Sequence, residues 1–227
     1  ERLADSEDLA DVERRHAEHF GAFVANADWP AEGQAEWADR VRSDEENIRV
    51  AIRWFLAHDI APLPHMFRIL WLFWQMRGRM PEGRAWIEEV QHKAGALDDR
   101  ARAELLFASA VTAVEVGDDE SALAALDGLD GLAGHIDDPY LESAAQLAIS
   151  WILPIVDDLD GALRAASMAL DGFRLQNDPF VAFAALTVAM VEMALGNDDA
   201  ARAHLAMVDE LGGRFDNVWL RCSARAQ

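Results

Sequence analysis

Residues Asp178 to Ala201 read DPFVAFAALTVAMVEMALGNDDAA. An aspartate followed by a proline suits a helix cap and a first turn that needs no N–H donor. From Phe180 to Leu195 the only ionised side chain is Glu192, so a helix here is apolar on every side and must be buried on every side. Gly196 breaks it, and Asp198-Asp199 open another. The same arrangement recurs upstream: aspartate-led segments begin at Asp98, Asp138 and Asp178, 40 residues apart, with breakers at Gly117, Asp157 and Gly196. Gly78 supplies a fourth breaker, giving separations of 39, 40 and 39 residues. A fixed period of this size marks stacked supersecondary units, none of which can bury its apolar face alone.

Apolar residues recur at helical spacing nearly throughout and alternating β-branched runs are absent, so the expected class is all-α. The spacing predicts helices over 7–26, 33–57, 64–77, 81–94, 100–116, 119–134, 140–156, 159–175, 180–195 and 198–212. Pro154 lies in the last turn of the 140–156 helix and is expected to kink it or end it early, which fits Asp157 standing where the neighbouring units have glycine. Seven residues before the last three breakers stand Ala110, Ser150 and Ala189, and five residues after them Ala122, Ala162 and Ala201, with Gly83 in the upstream copy. Small side chains let two helices approach closely. Leu126, Ala166 and Leu205 complete the stripe on each second helix. This register resembles the tetratricopeptide repeat, which implies a right-handed α-solenoid of helix pairs with a period of about 40 residues. That repeat is usually 34 residues long, so longer second helices or loops are expected here. The expected division is an N-terminal helical segment over 1–97 leading into repeats over 98–227, the last one truncated.

The whole-chain composition is consistent with such a domain. With 227 residues, 52% of them hydrophobic, the chain can bury a continuous core without a disulfide or metal. Its single cysteine, Cys222, excludes an intramolecular disulfide and points to a reducing, cytoplasmic compartment. No apolar run approaches the roughly 20 residues that span a bilayer. Net charge is −21, from 41 acids against 20 bases, a field that repels phosphate backbones and argues against direct contact with nucleic acid. The chain begins at Glu1, and Val218 to Gln227 read as the start of a further helix, so a fragment of a longer protein is expected.

Three phrases mark the N-terminal third: Arg15 to Phe20, Trp37 through Asp44-Glu45-Glu46-Asn47-Ile48-Arg49 to Trp54, and Trp74-Gln75-Met76-Arg77-Gly78-Arg79-Met80-Pro81-Glu82-Gly83-Arg84-Ala85-Trp86. In order and spacing they resemble the helical region that follows the nucleotide-binding core in actinobacterial regulators of the STAND ATPase class. Those proteins join an NB-ARC-like ATPase to tetratricopeptide-like repeats and an output module, often of LuxR type. The resemblance implies a repeat region that senses an inducer or partner and restrains the ATPase. This chain has no GxxxxGK[ST] phosphate loop, so ATP binding is not assigned to it. Met66, Phe67, Leu70, Trp71 and Trp74 read as core at helical spacing. Arg77, Glu82 and Arg84 read as an ion-pair network fixing a turn, or as a surface that docks the ATPase.

Side chains that carry chemistry are sparse. His16 and His19 share a helix face, but no third metal ligand is evident, and a solvated face is the simpler reading. Acidic pairs such as Asp118-Asp119, Asp157-Asp158 and Asp198-Asp199 precede second helices, where carboxylates cap free N–H groups. No cofactor, metal or catalytic residue is assigned, and the expectation is a non-enzymatic protein. The first helices of the repeats offer a different surface. Phe107, Val111, Leu147, Trp151, Phe183, Leu186, Met190 and Met193 are expected along one concave face, suited to an apolar segment, an amphipathic helix or a small inducer. The sequence leaves open whether that face is a groove or packs on itself, and whether the protein is a monomer or a homodimer. Two functions follow: a regulatory, partner- or inducer-sensing domain of a STAND-type transcriptional regulator, or a constitutive scaffold that assembles or self-associates without switching.

Overall fold

The computed structural model describes residues 7–26, 34–132 and 137–214. Among them the chain is all-α, with no strand. The helices are α1 (Glu7–Ala25), α2 (Gln34–Ser43), α3 (Glu45–His58), α4 (Leu63–Met76), α5 (Met80–Gln91), α6 (Asp99–Val116), α7 (Asp119–Leu132), α8 (Pro139–Ile152), α9 (Leu159–Leu175), α10 (Val181–Ala194) and α11 (Asp198–Arg214), with short 3-10 turns at Ala94–Ala96 and Leu153–Val156.

Helix starts and stops follow the sequence signals closely. Asp98 accepts a hydrogen bond from the Ala101 N–H at 2.7 Å, Asp138 from Tyr140 and Leu141, and Asp158 from Gly161 at 2.8 Å, each satisfying donors that an α-helix leaves free. Gly78, Gly117, Asp157 and Gly196 all adopt left-handed backbone, with φ of 64°, 72°, 58° and 79°. In each case the next residue's N–H reaches back to a carbonyl five residues earlier: Arg79 to Trp74, Asp118 to Ala113, Asp158 to Leu153 and Asn197 to Glu192. This is the Schellman closure, which needs one left-handed residue and so favours glycine, with aspartate tolerated. Pro154 ends α8 at Ile152 as expected, and the chain continues as the 3-10 turn until Asp157.

One boundary differs from expectation. The helix read over 33–57 is two helices, interrupted at Asp44 with φ −110° and ψ 14°. The Asp44 carboxylate accepts from the Asn47 side-chain amide at 2.9 Å, and its carbonyl receives the first α3 bond, from Ile48. Asp44-Glu45-Glu46 is itself a helix-start pattern, acids at the positive end of the dipole, set inside a longer apolar periodicity that masked it. The helix start read at Val218 to Gln227 lies outside the described residues, as does the end of the helix read to 134.

Contacts run stepwise along the chain. The helices of each pair, α4–α5, α6–α7, α8–α9 and α10–α11, pack together; the second of each touches the first of the next; and α4, α6, α8 and α10 touch in succession. α1 packs on α3 and α4. Every small residue singled out at the crossings is buried: Ala110, Ser150, Ala189, Ala122, Ala162, Ala201 and Gly83. At Gly83 the approach is closest, since a Cβ there would lie 2.1 Å from a ring carbon of Trp74. The α4 residues Met66, Phe67, Leu70, Trp71 and Trp74 are all core, so the aromatic phrase of the N-terminal third is packing.

Candidate ligand pocket

The face formed by α4, α6, α8 and α10 has three zones, each set by side chains at a different height along those helices. Toward their N-terminal ends it is sealed by a buried polar network. Glu104 of α6, only 4% exposed, accepts from His65 at 2.8 Å and from Arg68 Nε at 3.3 Å, both on α4. Arg68 donates on to the Tyr140 hydroxyl of α8 at 2.9 Å, and its guanidinium lies 4.8 Å from the Tyr140 ring centroid. Burial pushes the Tyr140 phenol above its ordinary value, keeping it neutral against the Arg68 charge that favours ionisation. The Tyr140 ring in turn packs edge-on against Phe173 and Phe180. A buried charge pair of this kind persists only when its remaining bonds are satisfied.

Midway along the helices sits an aromatic hub. The ring of Trp71 (α4) lies 6.3 Å from Phe107 (α6), 6.1 Å from Trp151 (α8) and 6.3 Å from Phe183 (α10), and Phe107 lies 6.4 Å from Trp151. One side chain of α4 thus reaches three other helix pairs. The Trp151 indole donates to the Thr187 hydroxyl at 2.9 Å, and Thr187 donates to the Phe183 carbonyl at 3.0 Å. The Trp71 indole N–H is buried without an acceptor among the described residues, a cost of roughly 1–3 kcal/mol that its packing area must offset.

Beyond the hub, at the C-terminal ends, the same face opens into a pocket of about 530 Å³. Its walls are Val111 and Val114 of α6, Ser150 and Trp151 of α8, and Leu186 and Met190 of α10, with Trp71 and Phe183 from the hub and Pro154 and Leu159 after α8. At the mouth the Gln75 amide donates to a Glu115 carboxylate oxygen at 2.8 Å. Glu115 is the only ionisable group among the described residues that line it. A concave, mostly apolar cavity of this size with a few polar groups is what small-molecule sites present.

The eight residues expected on the concave face divide among these zones. Val111, Trp151, Phe183, Leu186 and Met190 line the pocket, with Met190 half exposed. Phe107 and Leu147 are fully buried beside it, and Met193 is partly buried and outside the lining. Trp71, Gln75, Val114, Glu115, Ser150, Pro154, Leu159, Thr187, Val191 and Ala194 also line the pocket, outside the set that the sequence pattern predicts. A signal existed for Trp71: it lies seven residues before Gly78, the register of Ala110, Ser150 and Ala189, so a tryptophan fills the position that is small in later copies.

Arg77, Glu82 and Arg84 point to different neighbours. Arg77 is exposed. Glu82 is clamped by Arg49 of α3, whose Nη2 lies 2.9 Å from Oε2, and by Arg79 at 3.5 Å. The hydrogen-bonded Arg49 guanidinium holds the Glu82 carboxyl below the ordinary value. Arg84 bonds Glu88 at 2.8 Å, the Ser121 hydroxyl at 2.9 Å and the Asp118 carboxylate, bridging α5 to the turn before α7. The Ser121 N–H and hydroxyl, then Arg84, lower the Asp118 carboxyl. His16 faces Asn47 at 3.4 Å, His19 packs edge-on against Phe20, and no group of three or more His, Cys, Asp or Glu among the described residues is placed to hold a metal. No helix among the described residues is long and apolar enough to cross a membrane. A scan against protein-family models returned no match, and neither did a search of the curated proteins.

Proposed function

We propose that this chain is the sensing repeat region of a STAND-type ATPase transcriptional regulator: a right-handed solenoid of tetratricopeptide-like pairs, non-enzymatic itself, acting in the cytoplasm without touching nucleic acid. The observation that carries the reading is the pocket, whose walls come from α4, α6, α8 and α10 together. A molecule seated there touches four successive helix pairs at once. Its binding energy therefore favours whichever spacing of the pairs fits it best: helix packing runs mainly between neighbouring pairs, and the Trp71 hub beside the pocket ties the first pair to the third and fourth, so a shift there reaches all of them. The N-terminal helices, tied to α5 through Arg49 and Glu82, would carry the change toward the neighbouring ATPase domain, with Arg77 as the free contact on that side.

The test is nucleotide turnover and transcriptional output of the parent chain with and without residues 98–227. Removal is expected to change both. Identical turnover and output would overturn the regulatory reading and leave a constitutive scaffold.

A further inference from the structure

The lining of the pocket is asymmetric in charge. Among the described lining residues there is no arginine, lysine or histidine, and the one ionisable group, Glu115, stands at the mouth. Its carboxylate is engaged by the neutral Gln75 amide, and no cation pairs with it among the described residues. An anionic ligand would bring its charge into an apolar cavity with a carboxylate at the entrance and a protein of net charge −21 around it. A cation meets the opposite conditions. The pocket has a carboxylate at its rim and two aromatic rings, Trp71 and Trp151, in its wall.

We infer that the pocket takes a compact, largely apolar molecule bearing a single amine, its body against Trp151, Val111 and Leu186 and its ammonium group at the Glu115 carboxylate. The cavity volume, about 530 Å³, accommodates a drug-sized body. Polyols and sugars find few partners, because most wall polar groups are used internally: Trp151 by Thr187, Thr187 by the Phe183 carbonyl, and Ser150 by the Leu147 carbonyl at 2.6 Å, while the Trp71 indole N–H, the donor left without an acceptor among the described residues, is itself buried. The inference rests on reading the pocket as the sensing site and needs nothing from the ATPase.

Three probes that share one hydrocarbon cage and differ only in head group test it: 1-aminoadamantane, 1-adamantanol and 1-adamantanecarboxylate. Heteronuclear NMR of this chain would follow the Trp71 and Trp151 indole N–H signals during each titration. The amine is expected to bind about fivefold tighter than the alcohol, the scale of one exposed charge contact, and the carboxylate more weakly than either. In Glu115→Gln, an exposed substitution, the amine is expected to fall to the affinity of the alcohol while the alcohol is unchanged. A carboxylate that binds as tightly as the amine, an amine advantage that survives Glu115→Gln, or indole signals that none of the probes moves would each overturn the inference. Such a failure, with turnover still dependent on residues 98–227, would remove the ligand class and leave the regulatory reading standing.

Discussion

The two ends of one helix face differ sharply. Toward the N-terminal ends of α4, α6 and α8, His65, Glu104, Arg68 and Tyr140 lock three helices together through buried bonds. Toward the C-terminal ends the same helices line a mostly apolar cavity, joined there by the Gln75–Glu115 and Trp151–Thr187 hydrogen bonds and by no cross-helix ion pair among the described lining residues. What separates the two ends is the placement of a few groups. Pro154 stops α8 at Ile152, short of the level that α6 and α10 reach, and Ser150 and Ala194 leave room where larger side chains would close it. A stack of similar pairs thus gets a polar lock at one end and a cavity at the other from a few local departures from its repeat.

The closed end carries the largest expected effect. Glu104→Ala strands the Arg68 guanidinium, 12% exposed, without its carboxylate, and breaking a buried pair from one side costs about 3–5 kcal/mol. Urea denaturation should show that loss. A loss below about 1 kcal/mol would mean that Glu104 is solvated and that the lock is no lock.

Next comes the crossing beside the hub. Gly83→Ala gains about 1 kcal/mol of helix propensity but drives a methyl into the Trp74 ring, and overpacking of this kind costs about 1–3 kcal/mol. A net destabilisation by thermal unfolding is expected. Gly131→Ala, whose Cβ would meet nothing within 4 Å, should be neutral or stabilising and serves as the control.

How far the sequence reached follows from the same contrast. Whatever recurs was readable: the aspartate caps, the four left-handed breakers, the small residues at the crossings and the early end of α8 at Pro154 all rest on local backbone rules that repeat. What depends on how distant pairs meet was not. Trp71 has the helical spacing of a core residue and is core, yet its contact with Phe183 spans 112 positions and no local rule announces it. Likewise Glu115 and Gln75, exposed or half-buried polar residues, gain meaning only because α4 and α6 end side by side. The face read as either open or self-packed is self-packed at Phe107 and Leu147 and open at Met190.

An acid-sensitive element lies outside that face, between α3 and α5. The Arg49 guanidinium depresses the Glu82 carboxyl, so the folded state holds this proton less readily than the unfolded chain. The stability it contributes is present above the unfolded carboxyl value of about 4.3 and is lost as pH falls through the lower folded value. Because Glu82 is 29% exposed, the contribution is discounted to about 1 kcal/mol or less. Arg49→Gln should flatten this part of the acid limb of the stability curve; an unchanged slope would show that the clamp is idle.

At the open end the expected stability effect is smallest and the functional effect most informative. Met190 is half exposed on the pocket wall, so Met190→Asp loses little burial and is expected to cost less than about 1 kcal/mol in urea denaturation. Binding of an apolar neutral probe such as 1-adamantanol should nevertheless weaken, because a solvated carboxylate then stands where the methionine thioether covered the ligand. If Met190→Asp instead destabilised the protein as much as Glu104→Ala, the open end would be packed as tightly as the closed one, and the division of this face into a lock and a pocket would fail. If light scattering showed a dimer that dissociates in Met190→Asp, the cavity mouth would be a contact between two copies and the occupant a second chain. A monomer with lowered probe affinity is the result expected from the half-exposed Met190 on the pocket wall.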